Sequence, residues 1–343
     1  MKNIWEELAK PILCLAPMEG VTDTVFRRVV IKAGRPDLMF TEFTSVDGLI
    51  SKGFAYVAQR LEYTEAERPI IAQIWGNKPE NFYQAAKMLA SMGFDGIDIN
   101  MGCPDRAVLR TGGGAALIEQ PELARKIIQA TREGVGALPI SVKTRIGFKA
   151  VVTEAWVKWL LESQIEALII HGRTAKELSK GKAHWEEIGK AMEIRNSIFG
   201  GSETRIVRAR SLPPRRGPAA RANSTSPAPP GTIIIGNGDV ESREEAMEKV
   251  KQYGVDGVMI GRGALKNPWI FQKIPMPNAK CQKIQLLKYH MDLFEKTWQA
   301  KRPFVTLRKY FKIYARGFRG AVKLREALMT AETAVEVRRL LDL

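Results

Sequence analysis

The stretch GIDINMGCPDRAVLRTGGGAALI, residues 96–118, decides the fold and raises the functional question. Its first seven residues form an apolar run of the length expected for a buried strand in a parallel sheet. The run ends in Gly102, Cys103 and Pro104, and the glycine triplet 112–114 follows within ten residues. Cys103 is therefore either a buried filler or a reactive group at the mouth of a site.

Seven further runs of this kind, rich in Ile, Val and Leu, recur along the chain. Amphipathic stretches such as PENFYQAAKMLASMG and ESREEAMEKVKQYG separate most of them, beginning with Pro or acidic residues and ending on Gly as helices do. Eight strand–helix units predict an α/β fold, a (β/α)₈ TIM barrel. The predicted strands are 12–18, 39–45, 70–76, 96–102, 140–146, 167–173, 232–238 and 257–263.

One interval breaks the spacing, because the sixth and seventh runs begin 65 residues apart. Residues 200–232 contain six prolines and no aromatic residue, so they cannot bury enough apolar surface to offset the entropy of ordering. We predict a disordered Arg- and Pro-rich insertion at about 200–231. Amphipathic helical patterns follow the eighth strand, so we expect a barrel over 1–274 and a smaller all-helical domain over 275–343.

The net charge of +16 is concentrated in two segments. Residues 195–231 carry seven Arg and one Glu, and residues 275–343 carry fifteen Lys and Arg against six Asp and Glu. The rest of the chain is nearly neutral. A basic tail on a near-neutral body favours a polyanionic partner, with nucleic acid as the leading case. The alternative is a set of solvated helix faces.

The sequence indicates no membrane segment and no metal site. No run approaches eighteen apolar residues, and the N-terminus lacks the apolar core of a signal peptide, so we expect a cytoplasmic protein, and a monomer. Cys14, Cys103 and Cys281 are widely spaced and form no CxxC pair, which argues against a disulfide framework or a zinc site. Cys14 suits packing and Cys281 an inert surface position.

Polar side chains gather where the predicted strands end. Catalytic groups of such barrels sit at the C-terminal ends of the strands, because the loops there converge on one pocket. We therefore expect a ligand at this end of the barrel. The residues at these ends are Pro17, Met18, Glu19, Glu42, Gln73, Asn100, Cys103, Lys143, Arg145, His171, Arg173, Asn237, Gly238, Asp239, Gly261 and Arg262.

Two of the strand ends have the character of a phosphate cradle. GNGDV (236–240) and GRGAL (261–265) follow the seventh and eighth strands, the usual phosphate-binding place of this fold. Glycine lets backbone N–H groups approach an anion, and Arg262 can add a bidentate contact. Glycine at strand ends also serves turns, but the two motifs together favour phosphate.

Lys143 lies within an apolar strand, where its charge is costly without an anionic partner. A fixed cation there suits the anionic edge of a reduced flavin, and Gln73 can donate or accept at the rim of such a ring. The alternative for Lys143 is an ion pair with Glu42 or Asp98. His171 ends a strand, where a ligand contact is more plausible than a structural role.

Cys103 differs from the other cysteines in its position, because a strand end followed by Pro104 places its thiol over the pocket. A thiol near its ordinary pKa is mostly protonated at neutral pH and can serve as a general acid. The rival role is that of a thiolate nucleophile, but no His lies nearby in sequence to activate it.

Nine motifs resemble those of one family, the tRNA-dihydrouridine synthases, and occur in the same order. The resemblance covers nearly the whole chain, including the C-terminal LRKYFKIYARGF. It implies a barrel that binds FMN and reduces uridine in tRNA using NADPH, with Cys103 as the proton donor. The motifs are APMEGVTD, QIWG, DINMGCP, GGGAAL, VKTRIG, HGRT, GKAHWEEI, GNGDV and IGRGAL-x-NPW.

The resemblance also implies roles for residues at matching positions. Asn100 would contact the target uracil, and Arg145 and Arg173 are further expected substrate contacts. Pro17, Met18 and Glu19 would line the flavin, with Gln73 and Lys143 at its polar edge. The ribityl phosphate region would be held by His171, Asn237, Gly238, Asp239, Gly261 and Arg262.

The insertion at 200–231 departs from the family pattern, so the resemblance implies no role for it. It is either an extra RNA-binding arm or a tolerated surface loop. Two rival functions remain at this level: an FMN-dependent dehydrogenase of the dihydropyrimidine or dihydroorotate type, acting on a free base, and a non-enzymatic RNA-binding protein. The basic C-terminal domain argues against the free-base enzyme.

Overall fold

Eight parallel strands close into a barrel, as the sequence predicted. The computed structural model describes residues 3–199, 231–273 and 280–342. Each of the eight long strands pairs with two neighbours in the ring β1-β2-β4-β5-β6-β7-β8-β9, and β9 returns to β1. The strands are β1 Ile12–Leu15, β2 Leu38–Phe40, β3 Thr44–Ser45, β4 Ile70–Trp75, β5 Gly96–Met101, β6 Ile140–Arg145, β7 Ala167–His171, β8 Ile233–Asn237 and β9 Gly257–Ile260.

The strands alternate between two apolar environments. Leu13 and Leu15 pack outward in the large cluster shared with the helices, whereas Ile12 and Cys14 face the barrel interior in a second cluster with Trp5. The alternation follows from the period of two along a strand. Because β4 to β6 carry polar side chains at the interior positions nearest their C-terminal ends, one side of the barrel interior is polar.

The structure corrects one predicted strand, 39–45, which is interrupted between β2 and β3. Thr41 uses its hydroxyl to accept the backbone N–H of Gln73 at 3.0 Å and donates to the Glu42 carbonyl at 3.0 Å. The side chain thus replaces part of the backbone ladder. Strands β1 and β9 also end three residues before predicted, and after β9 Gly261 caps the helix that begins at Arg262.

Helices cover the outside of the barrel, including the two quoted amphipathic stretches. Pro79 begins the first of these helices as the sequence indicated, and Ser242 caps the second. The helices are α1 Ile4–Glu7, α2 Thr24–Ala33, α3 Val46–Leu49, α4 Phe54–Ala58, α5 Pro79–Ser91, α6 Arg106–Arg110, α7 Pro121–Val135, α8 Thr153–Leu161, α9 Trp185–Phe199, α10 Arg243–Tyr253, α11 Arg262–Lys266, α12 Lys280–Trp298, α13 Arg308–Tyr314, α14 Ala321–Thr330 and α15 Ala334–Leu341.

The C-terminal helices α12 to α15 pack on the barrel through α2. Tyr310 stacks on Phe26 with ring centroids 5.0 Å apart, and buried His290 is 2.6 Å from the Tyr314 hydroxyl. The predicted boundary at 274/275 and almost all of the predicted insertion lie outside the described residues. Within the described part of the chain, no helix has both the length and the apolarity needed to cross a bilayer.

Candidate active site

A cavity of about 430 Å³ opens at the C-terminal ends of β1 and β6 to β9. Ten of the fifteen residues predicted for the site line it. The cavity therefore lies where the barrel fold places ligands. Those ten are Pro17, Met18, Lys143, Arg145, His171, Asn237, Gly238, Asp239, Gly261 and Arg262.

Asp239 joins two arginines at the rim of the cavity. Its carboxylate accepts a hydrogen bond from Arg173 and one from Arg262, the latter at 2.9 Å. Burial alone would raise the pKa of Asp239, but the hydrogen bonds from Arg173 and the Ala183 N–H outweigh it, so the pKa is lowered. Arg262 remains more than half exposed, so its guanidinium can also reach a bound anion.

Gly238 makes the close turn between β8 and the rim possible. Its φ of +136° lies in the region that favours glycine, and a Cβ there would meet Ala183 Cβ at 2.6 Å. A Cβ on Gly261 would lie 3.5 Å from Met18 Sδ, at the cavity wall. The two glycines thus keep the backbone accessible on the side where the sequence predicts a phosphate.

His171 is held in one tautomer. The Arg173 guanidinium lies 3.2 Å from His171 Nε2 and can only donate, so Nε2 accepts and Nδ1 carries the proton. Burial, followed by the charges of Lys143 and three arginines, lowers the pKa of His171 well below its usual value. The imidazole is therefore neutral at physiological pH and adds no charge to the cavity.

Arg173 itself acts as a brace. It is 1% exposed, and its guanidinium also donates to the carbonyls of Lys180 at 3.1 Å and Gly181 at 2.6 Å. All three guanidinium nitrogens have partners in the protein. Arg173 therefore fixes this loop, and the substrate contact expected from the sequence stays a prediction.

Lys143 points its ammonium toward β8, where Nζ lies 3.3 Å from Asn237 Oδ1. Asn237 is oriented by its own donation to the Met259 carbonyl at 2.7 Å. Burial lowers the pKa of Lys143 to about 8, with Arg145 lowering it further and Asp98 opposing. Lys143 is thus mostly protonated at neutral pH. The described residues contain no ion pair between Lys143 and either carboxylate weighed from the sequence.

The loop that follows β5, residues 102–105, is fixed through its backbone, and we call it the Cys103 loop. Asn100 Oδ1 accepts the N–H groups of Gly102 at 3.1 Å and Cys103 at 2.9 Å. The Cys103 carbonyl accepts the Ala115 N–H at 3.0 Å, and a Cβ on Gly114 would meet that carbonyl at 2.7 Å. This close approach accounts for the last glycine of the triplet.

Burial raises the pKa of the Cys103 thiol, and the Asp105 N–H only partly opposes the shift. The half-buried side chain is therefore a neutral thiol at physiological pH. Fully buried Cys14 and exposed Cys281 lie elsewhere. Of the two roles weighed from the sequence, this environment favours a proton donor over a thiolate nucleophile.

Arg145 links the Cys103 loop to the cavity. It donates to the carbonyls of Gly102 at 2.7 Å, Thr174 at 2.9 Å and Leu178 at 2.8 Å. Its second Nη has no hydrogen bond to another described residue, and the side chain lines the cavity. Burial lowers the pKa of Arg145 to about 10, so it keeps its charge at neutral pH and can bind a ligand.

The remaining predicted residues lie beside or beneath the cavity. Glu19 is half exposed and pairs with Arg60 at 2.8 Å, in a neighbouring pocket of about 310 Å³. Gln73 and Asn100 are buried in the polar side of the barrel interior. Ser141 was not among the predicted site residues, although its alternation with Lys143 along β6 places both on the interior face.

This combination defines a class of protein: a (β/α)₈ barrel with a cavity lined by glycines and Arg262 after its last two strands and a half-buried thiol after β5. The dihydrouridine synthase family model matches residues 14–198 and 227–342. The chain belongs to the dihydrouridine synthase family.

Curated relatives match over almost the full chain. A probable tRNA-dihydrouridine synthase from Staphylococcus aureus strain COL is 42% identical over 344 residues, covering 99% of this chain and 95% of the relative. The probable tRNA-dihydrouridine synthase 2 of Bacillus subtilis strain 168 is 42% identical over 346 residues, covering 99% of this chain and 96% of that relative. Among solved structures, morphinone reductase aligns with a TM-score of 0.48 and 13% identity, covering 78% of this chain and 86% of that one.

Proposed function

We propose that the protein is a tRNA-dihydrouridine synthase that reduces the C5–C6 bond of specific uridines in tRNA, using FMN and NADPH. The observation that carries the proposal is the family match across both halves of the barrel. The neutral Cys103 thiol beside the cavity supports it, because uracil reduction needs a proton as well as a hydride.

The cavity has the features that FMN requires. Gly238, Gly261 and Arg262 would hold the phosphate at the ends of β8 and β9. Pro17 and Met18 would line the ring system on the β1 side. FMN bound there and reduced by NADPH would supply the hydride for C6 of the uracil. We propose Lys143 as the cation at the polar edge of the flavin.

Cys103 supplies the proton in this scheme. Its thiol stays protonated at neutral pH, so it can give the proton to C5 as a C–H bond forms there. Arg145 can polarise a uracil carbonyl through its unpaired Nη, and Asn100 would contact the same base. This polarisation matters because the C5–C6 bond accepts a hydride poorly until negative charge on the ring is stabilised.

The basic C-terminal helices would bind the tRNA backbone. Extracting a uridine from its stack costs a few kcal/mol, and phosphate contacts with release of counterions offset such a cost. The excess of Lys and Arg over residues 275–343 suits this role. A free-base dehydrogenase would gain nothing from such a charge.

The direct test is reduction of unmodified tRNA by the purified protein with FMN and NADPH, followed by mass spectrometry of the digested nucleosides. We expect a gain of two hydrogen atoms at specific uridines and little turnover of free uridine. Equal turnover of free uridine would favour the free-base dehydrogenase. Bound flavin and NADPH oxidation without any reduced tRNA uridine would contradict the proposal.

A further inference from the structure

Four buried polar side chains form a continuous hydrogen-bonded row across the interior of the barrel. Ser141 donates to Asp98 Oδ1 at 2.6 Å, and Gln73 Nε2 donates to Asp98 Oδ2 at 2.7 Å. Asn100 Nδ2 donates to Gln73 Oε1 at 3.0 Å, and Asn100 Oδ1 accepts the Cys103 N–H. We call these four side chains, Ser141, Asp98, Gln73 and Asn100, the polar row. It leads from β6 to the Cys103 loop.

The two ends of the polar row fix the orientation of both amides between them. Backbone N–H groups of the Cys103 loop can only donate, so Asn100 must present its oxygen to them and its nitrogen to Gln73. An ionised Asp98 can only accept, so Gln73 must present its nitrogen to Asp98 and its oxygen to Asn100. Each requirement agrees with the other, and neither amide can flip alone.

The side chains of the polar row are shielded from water, so each depends on its hydrogen-bond partners within the protein. Asp98, Gln73 and Ser141 are fully buried and Asn100 is 6% exposed. A donor or acceptor that lost its partner here would have no access to water, and buried polar groups of this kind are costly to leave unsatisfied. Burial raises the pKa of Asp98 to about 6, against the opposing hydrogen bonds of Ser141 and Gln73 and the charge of Lys143. Asp98 is therefore mostly ionised at neutral pH.

We propose that Asp98 is a positioning residue that holds the Cys103 loop in place through Gln73 and Asn100, although it contacts neither the thiol nor the cavity. The geometry of the loop carries this inference. Its meaning for catalysis rests on the proposed function, in which Cys103 is the proton donor.

The test measures the loop without requiring catalysis. The full chain, at matched flavin content, is treated with iodoacetamide, and peptide mass spectrometry gives the alkylation rate of Cys103 relative to exposed Cys281 in the same molecule. In Asp98→Leu, Gln73 and Ser141 lose the carboxylate that accepts their hydrogen bonds. We therefore expect the alkylation rate of Cys103 relative to Cys281 to rise at least about fivefold, which corresponds to ~1 kcal/mol. In Asp98→Asn we expect a change of less than about twofold, because the new amide can donate to the Ser141 hydroxyl and still accept from Gln73.

The matched control removes a buried carboxylate from the other end of the barrel. Asp256 accepts the Ile234 N–H at 2.8 Å and pairs with Lys10 and Arg195, and it has no contact with the polar row. We expect Asp256→Leu to leave the Cys103 to Cys281 ratio within about twofold of the wild type, even where it lowers stability.

If Asp98→Leu does not fold, Gln73→Met breaks the row between Asp98 and Asn100, and we expect the same rise in the ratio. An unchanged or lower ratio in the foldable variant would overturn the proposal, as would an equal rise in Asp256→Leu. Failure of the proposal would leave the proposed function standing, because tRNA reduction is measured separately.

Discussion

Both backbone polar groups of Cys103 are hydrogen-bonded, and its side chain is half-buried. The N–H donates to Asn100, the carbonyl accepts from Ala115, and the Asp105 N–H reaches the sulfur. Such a fixed backbone allows a neutral thiol to hold its proton at one place. A loosely held thiol would lose the entropic advantage of a positioned acid.

Replacing Cys103 therefore separates flavin chemistry from product formation. For Cys103→Ala we expect normal FMN binding and slow NADPH oxidation, with dihydrouridine formation reduced by a factor of about 10² to 10⁴, the range typical for loss of a general acid. Quantitative nucleoside mass spectrometry of the tRNA product gives the rate.

Cys281→Ala is the matched control, because that thiol is exposed on α12. We expect it to match the wild type in every one of these measurements. Product formation by Cys103→Ala near the wild-type rate would remove Cys103 from its proposed role.

The positions of the site residues were predictable, but their partners were not. Lys143 and His171 could be placed near the mouth because both lie toward the C-terminal ends of runs predicted as strands. The brace formed by Arg173 depends on carbonyls of Lys180 and Gly181, whose direction is set by loop geometry. A strand period gives no information about such loops.

At the scale of elements, the loop between β1 and α2 joins the cavity to the C-terminal helices. Tyr310 donates to the Val21 carbonyl at 2.6 Å, and Arg302 pairs with Asp23 at 2.8 Å. Glu42, at the end of β2, accepts the Gly20 N–H at 2.5 Å. The same loop carries Met18 into the cavity wall. These contacts join the C-terminal helices to the loop that lines the proposed flavin site.

Glu42 gives this loop a pH-dependent contribution to stability. The side chain is 2% exposed, and burial, with Asp23 and Glu19 nearby, raises its pKa to about 7. The folded protein therefore binds a proton that the unfolded chain releases at lower pH. This contribution stabilises the fold at acidic pH and is lost as the pH rises through about 7.

The variant Glu42→Gln removes that dependence. The free energy of unfolding is measured for both proteins by chemical denaturation at pH values of about 5.5 and about 8. We expect the value for Glu42→Gln minus that for the wild type to be about 2 kcal/mol larger at the higher pH. Glu326→Gln, on the exposed side of α14, is the control and should show no such change. The same difference between Glu42→Gln and the wild type at both pH values would contradict the assignment.

The element pattern was largely predictable because parallel strands are short, apolar and regularly spaced. Helices α5 and α10 carried their start and stop signals in the sequence. The break between β2 and β3 was not predictable, since it depends on the Thr41 hydroxyl meeting the Gln73 N–H of another strand. The strand propensity of a residue contains no information about such a contact with a distant strand.

At the scale of the whole molecule, the cavity and much of the excess positive charge belong to different parts of the chain. The cavity lies over β1 and β6 to β9, whereas much of the excess positive charge belongs to residues 275–343. This separation suits a large polyanion that binds one region while presenting one nucleotide to another. The domain boundary at 274/275 and the insertion at about 200–231 stay predictions.

The most direct test of the account is flavin binding, since every proposed step requires FMN in this cavity, with its phosphate expected at the ends of β8 and β9. Flavin-free protein is titrated with FMN or with riboflavin, and fluorescence quenching gives the dissociation constants. We expect one FMN per chain, riboflavin binding weaker by a factor of about 30 to 100, and Arg262→Ala weakening FMN but not riboflavin. Absence of flavin binding, or equal affinities for FMN and riboflavin, would contradict the account.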